Sequence, residues 1–346
     1  QAYFIRALIH LDLSLVYGQT FTYSADGSHL GTAVMTTIPD VKSKIARSTA
    51  AVTYKRILDD LRTASDMFAD GWTKGCYYAS PAACKALMAR VYLYMGNYAD
   101  AKKCASEVIA DYGLSLTPRS DYVAMFCARK EGTEAIFRLN GLSGGSKLGS
   151  MFDHISPSMN PSSKLMDIFS SDEHVWTGTD VRSELLSYKS SGGDEFSGVC
   201  MKFTDTEDID DTQKRYDPFV LRLSEMYLIR AEAACHDGDI ETAVSDIATL
   251  EARARGVKAS EINVVYSNAE ELDRIIRRER VKELFLEGHR LFDLTRRHET
   301  LSRDAACGSS VLSMTYPDDR FILPIPLVEL DANEAMQPNP INGTQR

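Results

Sequence analysis

One short pattern occurs twice in this chain and limits its fold more than anything else: a glycine turn set between two apolar stripes of helical period. In the first copy, Ser80-Pro81 opens a helix with a capping residue followed by proline in the first turn, and Leu87, Val91 and Tyr94 form the stripe. The stripe breaks at Gly96-Asn97, and a second helix carries Tyr98, Ala101, Ala105, Val108 and Ile109 before ending near Gly113. In the second copy Leu221, Leu223, Met226, Leu228, Ala231 and Ala234 lead to Gly238-Asp239-Ile240, then Ala243, Ile247 and Leu250. Setting Gly96 on Gly238 places Ala89 on Ala231, Tyr98 on Ile240 and Ala101 on Ala243, so both copies read Gly-x-(Tyr or Ile)-x-x-Ala. Alanines on either side of the turn let two antiparallel helices approach closely, the geometry of a stacked helical repeat.

The unit resembles the middle of a tetratricopeptide repeat, and the chain supplies further helices around it. Residues 2–17 place Tyr3, Ala7, Leu11 and Leu15 on one stripe that Gly18 stops. A helix over 52–69 has Ile57, Leu58, Leu61 and Met67 as its core face, and another over 268–297 carries Ile275, Ile276, Val281, Leu284, Phe285, Leu291 and Leu294. Residues 18–50 read as a loop excursion rich in Gly, Thr and Ser. Residues 113–219 differ again, with short β-like stretches at Ala135–Leu139 and Val199–Phe203 among Gly/Ser-rich connections. Loops this long inside a compact chain are usually functional. The expected architecture is mainly α and one domain over 1–346. Its helical scaffold comprises 1–17, 52–112 and 219–297, its irregular ligand-binding part is 113–218, and its C-terminal segment is 298–346.

Composition narrows the function. With 346 residues, 44% of them hydrophobic and 25% charged, the chain has enough apolar surface to bury a large core, which excludes disorder. No run approaches the roughly 18 apolar residues of a membrane-spanning helix. A net charge of -10 opposes a nucleic-acid binder, which needs a positive face for phosphates, and suits a neutral or cationic ligand. The seven cysteines are odd in number and form no C-x-x-C pair, so neither a disulfide framework nor a zinc site is readable; alone, this usage points to a reducing compartment. Gln1 opens directly into an apolar-periodic segment, so the expectation is that any targeting peptide has been removed or was never captured.

No catalytic constellation stands out. The glycine-rich stretch at 141–149 fails as a phosphate loop because Lys147 follows Ser146 and precedes Leu148. The acidic run from Asp205 to Asp211 lacks the mid-loop glycine and terminal Glu of a calcium loop and reads as a solvated acidic loop. None of the seven histidines, His10, His29, His154, His174, His236, His289 and His298, belongs to an H-E-x-x-H pair, and no G-x-S-x-G elbow is present. The segment from Glu279 to Leu294 alternates charges with large apolar residues. Glu279, Glu283 and Glu287 share a helix face, and the preferred reading is structural: acids and arginines tying this helix to its neighbours. The expectation is therefore no catalytic residue, no metal and no cofactor.

Aromatic residues in the irregular parts are the better functional signal. Tyr23, Trp72, Phe152, Trp176 and Tyr188 fall where no helical period accounts for them. A flat ring stacks on the apolar face of a sugar while neighbouring polar groups bond its hydroxyls. The competing reading is that each ring packs a loop onto the scaffold.

Several blocks, in order from end to end, resemble the SusD/RagB family. Arg6-Ala7 through Val16-Tyr17-Gly18 is similar to its early R-A…Y-G helix, and Ala83–Tyr98 to its A-R-V-Y-L-Y-M-G-D-Y repeat. Pro161–Phe169 and Asp180-Val181-Arg182 fit its middle signatures, and Leu221–Ala233 resembles L-R-L-A-E-x-Y-L-x-x-A-E-A. Glu287–Leu294 is similar to E-G-H-R-x-F-D-L, while Leu323–Asn333 with Asn339-Pro340 is similar to its closing L-P-I-P…N-P. The resemblance implies tetratricopeptide-like helical pairs under an irregular ligand-binding half. It also implies a surface-exposed outer-membrane lipoprotein that captures oligosaccharides, less often peptides, and delivers them without chemistry to a SusC-like TonB-dependent transporter. Membrane contact would run only through a lipid anchor outside this sequence. Family motifs do not identify the ligand contacts, so the candidates rest on position: Trp176 and Phe152 first, then Tyr23, Trp72 and His154. Two rival classes are a helical-repeat glycoside hydrolase, which needs an acid/base pair, and a cytoplasmic tetratricopeptide adaptor, which needs repeats in tandem.

Overall fold

The computed structural model describes residues 1–346 apart from 41, 69–71, 73, 128–131, 142–146, 154–156, 171–177, 190–192, 194, 205–215 and 342–346. Its first half runs α1 (Ala2–Tyr17), α2 (Ala50–Asp66), α3 (Pro81–Tyr94), α4 (Tyr98–Asp111), α5 (Arg119–Cys127), β1 (Ala135–Arg138), α6 (Lys147–Met151) and α7 (Ser163–Ser170). There follow β2 (Ser187–Lys189), β3 (Glu195–Ser197), β4 (Phe219–Arg222), α8 (Leu223–Asp237), α9 (Ile240–Arg255) and α10 (Ala269–Leu284). The chain closes with α11 (Arg290–Arg296), β5 (Leu301–Ser302), β6 (Ser313–Met314) and α12 (Leu327–Ala332). The strands form three antiparallel pairs, β1 with β4, β2 with β3 and β5 with β6. Its backbone contacts group into two compact units, one of Gln1–Trp72, Arg90–Asn97 and His289–Arg346, the other of Thr73–Ala89 and Tyr98–Gly288.

In the larger unit, α8 is buried almost all round and packs against α4, α9 and α10. Ala231, Ala233 and Ala234 keep its surface smooth, so the neighbouring helices come close. It ends at Gly238 with φ 81, a left-handed residue whose N–H, with that of Asp239, turns back to cap the last carbonyls; the Asp239 carboxylate then accepts from Thr242 N to start α9. The second glycine turn of the sequence is therefore the hairpin it predicts. Leu228, Ile247, Leu250, Leu272 and Ile276 form the core between these helices. A separate cluster of Tyr122, Phe126, Leu185, Phe203, Tyr216 and Phe285 holds the irregular residues between α4 and α8.

Between the helices lies an ionic network. Fully buried Arg182 bonds both oxygens of Asp180 at 2.7–2.8 Å, Glu251 at 3.0 Å and Glu283 at 3.1 Å, and also pairs with Glu279. Arg222, delivered by β4, reaches Glu134 at 3.0 Å, Glu283 at 2.5 Å and Glu287 at 2.9 Å. Arg253 of α9 bridges Glu134 and Glu283 at 3.0 and 2.8 Å, and Lys202 meets Glu287 at 2.6 Å. The structural reading of Glu279, Glu283 and Glu287 is thus what the fold contains.

The smaller unit is built on α1 against α2, with Phe4, Ala7, Leu8 and Leu11 facing Tyr54, Ile57, Leu58 and Leu61. Arg6 fastens the pair by a bidentate bond to buried Asp60, both contacts at 2.7 Å. Thr49 caps α2 by accepting from Val52 N. Arg47 closes the loop between the helices: its guanidinium donates to the carbonyls of Gly31, Leu30, Tyr17 and Gln337 and to the side chain of Asn339.

Four local expectations are corrected. Tyr3 is 37% exposed because the buried stripe runs through Phe4 instead, leaving its ring under the Arg6 guanidinium. Met67 is 71% exposed, since it is the residue that ends α2 and not part of its core face. Residues 268–297 are two helices, because Leu286 and Gly288 adopt left-handed φ of 61 and 87. Finally, Met201–Phe203 winds as a single helical turn, which buries Met201 and Phe203 and sends Lys202 Nζ to the Glu283 carbonyl.

The network makes unequal demands on its acids. Burial alone would raise the Glu283 carboxyl, but Arg253, Arg222 and Arg182 hold it well below the usual range. Burial, helped by the neighbouring Glu251 charge, instead raises Glu279 well above that range against the pull of Arg182. A depressed carboxyl adds stability above its unfolded pKa and loses it only as pH falls through its folded value; a raised one adds stability below its unfolded pKa and loses it as pH rises. Glu283→Gln should therefore cost about 3–5 kcal/mol at pH 7 in urea unfolding, the usual result of stranding buried cations. Glu279→Gln, which keeps a neutral hydrogen-bonding group, should stay within about 1 kcal/mol. Equal losses at the two positions would contradict this assignment.

Candidate functional site

The loop after α1 is shaped by two tight fits. Gly18 ends the helix with its N–H on the Ser14 carbonyl, and Thr20 starts a single helical turn over Phe21–Tyr23. Phe21 packs its ring on Tyr54 of α2, centroids 5.0 Å apart. Gly27, at φ +66, accepts from Ala51 N, and a Cβ there would lie 3.0 Å from that nitrogen and 3.1 Å from the Phe21 ring. With Phe21 turned in, Tyr23 is left 45% exposed.

Tyr23 is held edge-on by His29, ring centroids 5.3 Å apart at 66°. His29 Nε2 lies 3.3 Å from the Gln19 carbonyl, which can only accept, so that nitrogen carries the proton and Nδ1 accepts from the Ser24 hydroxyl at 2.8 Å. Burial lowers the pKa of this imidazole, which keeps it neutral around pH 7.

A second ring pair stands beside Thr22. His298 follows α11 in the left-handed region, φ 58, which costs a non-glycine residue about 1–3 kcal/mol. Its N–H bonds the Thr295 carbonyl, and Glu299 N bonds that of Leu294, so the helix end holds it in place. The exposed imidazole stacks flat on Tyr316, 4.3 Å and 8°, and Tyr316 leans in turn on Phe321 at 6.2 Å. Burial, with Tyr23 adding, pushes the Tyr316 hydroxyl up to about 12, so it remains a phenol. Thr22 Oγ1 lies 3.0 Å from His298 Nε2 and ties the Tyr23 turn to this pair. Rings and neutral hydrogen-bonding groups converge here from three separate segments.

Comparison with known proteins places this architecture. Residues 170–341 match the SusD family model, and residues 1–93 match a model described as starch-binding associating with outer membrane. The chain belongs to the SusD/RagB family. Among solved SusD superfamily proteins, one from Bacteroides thetaiotaomicron is 25% identical, with 98% of this chain on 77% of that one and a TM-score of 0.84. Another, from Bacteroides vulgatus, is 26% identical, with 98% of this chain on 76% of that one and a TM-score of 0.81. A SusD-like carbohydrate binding protein from Bacteroides vulgatus shares the fold at 19% identity, with 97% and 76% covered and a TM-score of 0.75. No curated protein matches the chain.

Of the residues nominated from sequence in this SusD-family chain, Tyr23 lies in the ring cluster. Trp72, in the same unit, is partly buried and packs edge-on to Phe68 at 4.9 Å just beyond α2. Phe152 is a correction: it is 7% exposed, belongs to the second core of the larger unit, and meets Phe203 at 5.1 Å, so its ring face is taken by protein. Trp176 and His154 lie outside the described residues. His298 and Tyr316 were missed as site residues. Tyr316 meets the same test that singled out Tyr23, an aromatic in a segment without helical period, whereas nothing in a lone histidine foretells a left-handed backbone.

A concavity of about 580 Å³ also opens in the smaller unit, lined by Leu13, Tyr17, Met35, Ile45, Ile325 and Met336. Its guanidinium, Arg47, is already bonded to five acceptors. Its walls are otherwise mostly apolar, with Thr32, Ser43, Glu329 and Asn333 as the other polar side chains on the lining.

The correction at Phe152 has a measurable consequence. Phe152→Ala should cost about 3–5 kcal/mol in chemical unfolding, as for a buried ring, and leave ligand retention of the folded fraction unchanged. Loss of retention without loss of stability would restore its place among the binding residues.

Proposed function

We propose that this chain binds oligosaccharides at an outer-membrane surface and hands them, unchanged, to a SusC-like TonB-dependent transporter. The observation that carries the reading is the exposed Tyr23 ring, fixed on a loop anchored to α2 and flanked by the His298–Tyr316 pair. A ring in such a setting offers a flat apolar face beside neutral hydrogen-bonding groups, the combination that a pyranose with one apolar face and a rim of hydroxyls needs. The family description of starch binding and outer-membrane association supports both ligand class and location. Glycoside hydrolysis would require two carboxyl groups roughly 5–9.5 Å apart across the scissile bond, and Tyr23, Thr22, His298 and Tyr316 supply none. Capture and release is the chemistry this set of side chains performs.

The reading is tested by affinity electrophoresis through gels containing soluble starch, galactomannan or arabinoxylan, with Tyr23→Ala and Trp176→Ala run alongside. At least one glycan should retard the wild-type chain, and Tyr23→Ala should weaken retention about tenfold, about 1.4 kcal/mol. Retention should barely change between 50 and 500 mM salt, since the contacts are uncharged, and no reducing ends should appear on incubation. Retention of peptides with indifference to every glycan would transfer the function to peptide capture.

A further inference from the structure

The His298 ring has a fixed orientation and one unused nitrogen. Thr22 has a single hydroxyl proton, and Oγ1 lies 3.3 Å from the Arg296 carbonyl, which can only accept. Both contacts are made together when that proton goes to Arg296 and Oγ1 accepts from His298, the tautomer that carries its proton on Nε2. Nδ1 is left with a free lone pair, and no protein group among the described residues bonds it. Tyr316 covers one face of the imidazole, and the left-handed backbone of residue 298 aims it. A strained residue, an exposed ring and a spare acceptor at one position are explained together if the position contacts ligand.

We propose that His298 is a specificity-determining residue of the Tyr23 site, whose Nδ1 accepts a hydrogen bond from a hydroxyl of a neutral sugar. The inference rests on the oligosaccharide reading above and adds the ligand's charge class. A neutral glycan presents hydroxyl donors to this lone pair, whereas the carboxylate of a uronic acid would set acceptor against acceptor. The Tyr316 ring holds the imidazole flat, and Thr22 fixes which nitrogen faces out.

The test compares wild type, Tyr23→Ala, His298→Gly and His298→Asn at pH 8. All are run through gels of the three neutral polysaccharides and of polygalacturonate. Gly and Asn both adopt the left-handed backbone readily, so the two variants should melt within a few degrees of wild type. His298→Gly should lose at least tenfold in retention by the neutral glycan that wild type binds, with His298→Asn intermediate. Polygalacturonate should retard wild type less than that glycan does. In a separate measurement, adding oligomers of the retarding glycan should shift the 15N resonance of His298 Nδ1 and not of Nε2, a change that a merely structural histidine would not show. If Tyr23→Ala abolishes retention while His298→Gly keeps it, the inference falls and the oligosaccharide reading stands. If polygalacturonate is bound more tightly than every neutral glycan, the charge class is wrong. If no polysaccharide retards wild type, both fall.

Discussion

The larger unit depends on one edge of α10. Glu279 and Glu283 project from that edge, and Glu287 from the turn just beyond it, into an interior where Arg182, Arg222, Arg253 and Lys202 arrive from four other segments. Removing so many charges from water is unfavourable, and it is tolerated only because each acid meets at least one cation and each cation at least one carboxylate. What such an arrangement brings is uniqueness. Any slip of β4 or α9 along α10 would leave a charge without its counterpart, so the register of irregular segments is decided by pairing where apolar packing alone would permit several solutions. Lys202 illustrates the density of this interior: its ammonium lies 3.8 Å from the Phe285 ring centre while bonding Glu287.

The smaller unit solves a different problem, which is to present rings without letting them collapse inward. Phe21 and Tyr23 are two residues apart, and the helical turn that carries them packs the first, partly buried, on Tyr54 and turns the second out. His298 and Tyr316 are kept near the surface by stacking on each other, which lets both rings shed water on one face without entering a core. Rigid support beneath an adaptable ligand is the usual arrangement where binding must be specific but reversible.

How much of this was legible depends on the range of the cause. The hairpin at Gly238 was, because the helical period, the left-handed cap and the Asp239 side chain act within a few residues. The structural role of Glu279 to Glu287 was legible as a charged helix face, but its partners were not: Arg182 is 97 residues from Glu279 and Arg222 61 from Glu283, and no local pattern joins them. Phe152 and Tyr23 look alike in sequence, each a ring without a period, and only the surrounding cluster decides that one is core and the other surface. The break after Leu284 escaped notice because the apolar stripe continues through it, while the two left-handed residues that make it are a leucine and a glycine in an otherwise helical run. Backbone conformation at His298 was invisible because a histidine does not itself call for a left-handed φ.

Arg47 leaves a mark on how the molecule comes into being. Its five acceptors lie on residues 17, 30, 31, 337 and 339, so a single cation joins stretches up to 292 residues from it along the chain. Until Gln337 and Asn339 emerge from the ribosome, that guanidinium lacks two of its partners and the loop after α1 has no finished seat. The region that carries Tyr23 therefore sets only after residues 337–339 are made, by which time the helical hairpins around α8 have been able to form.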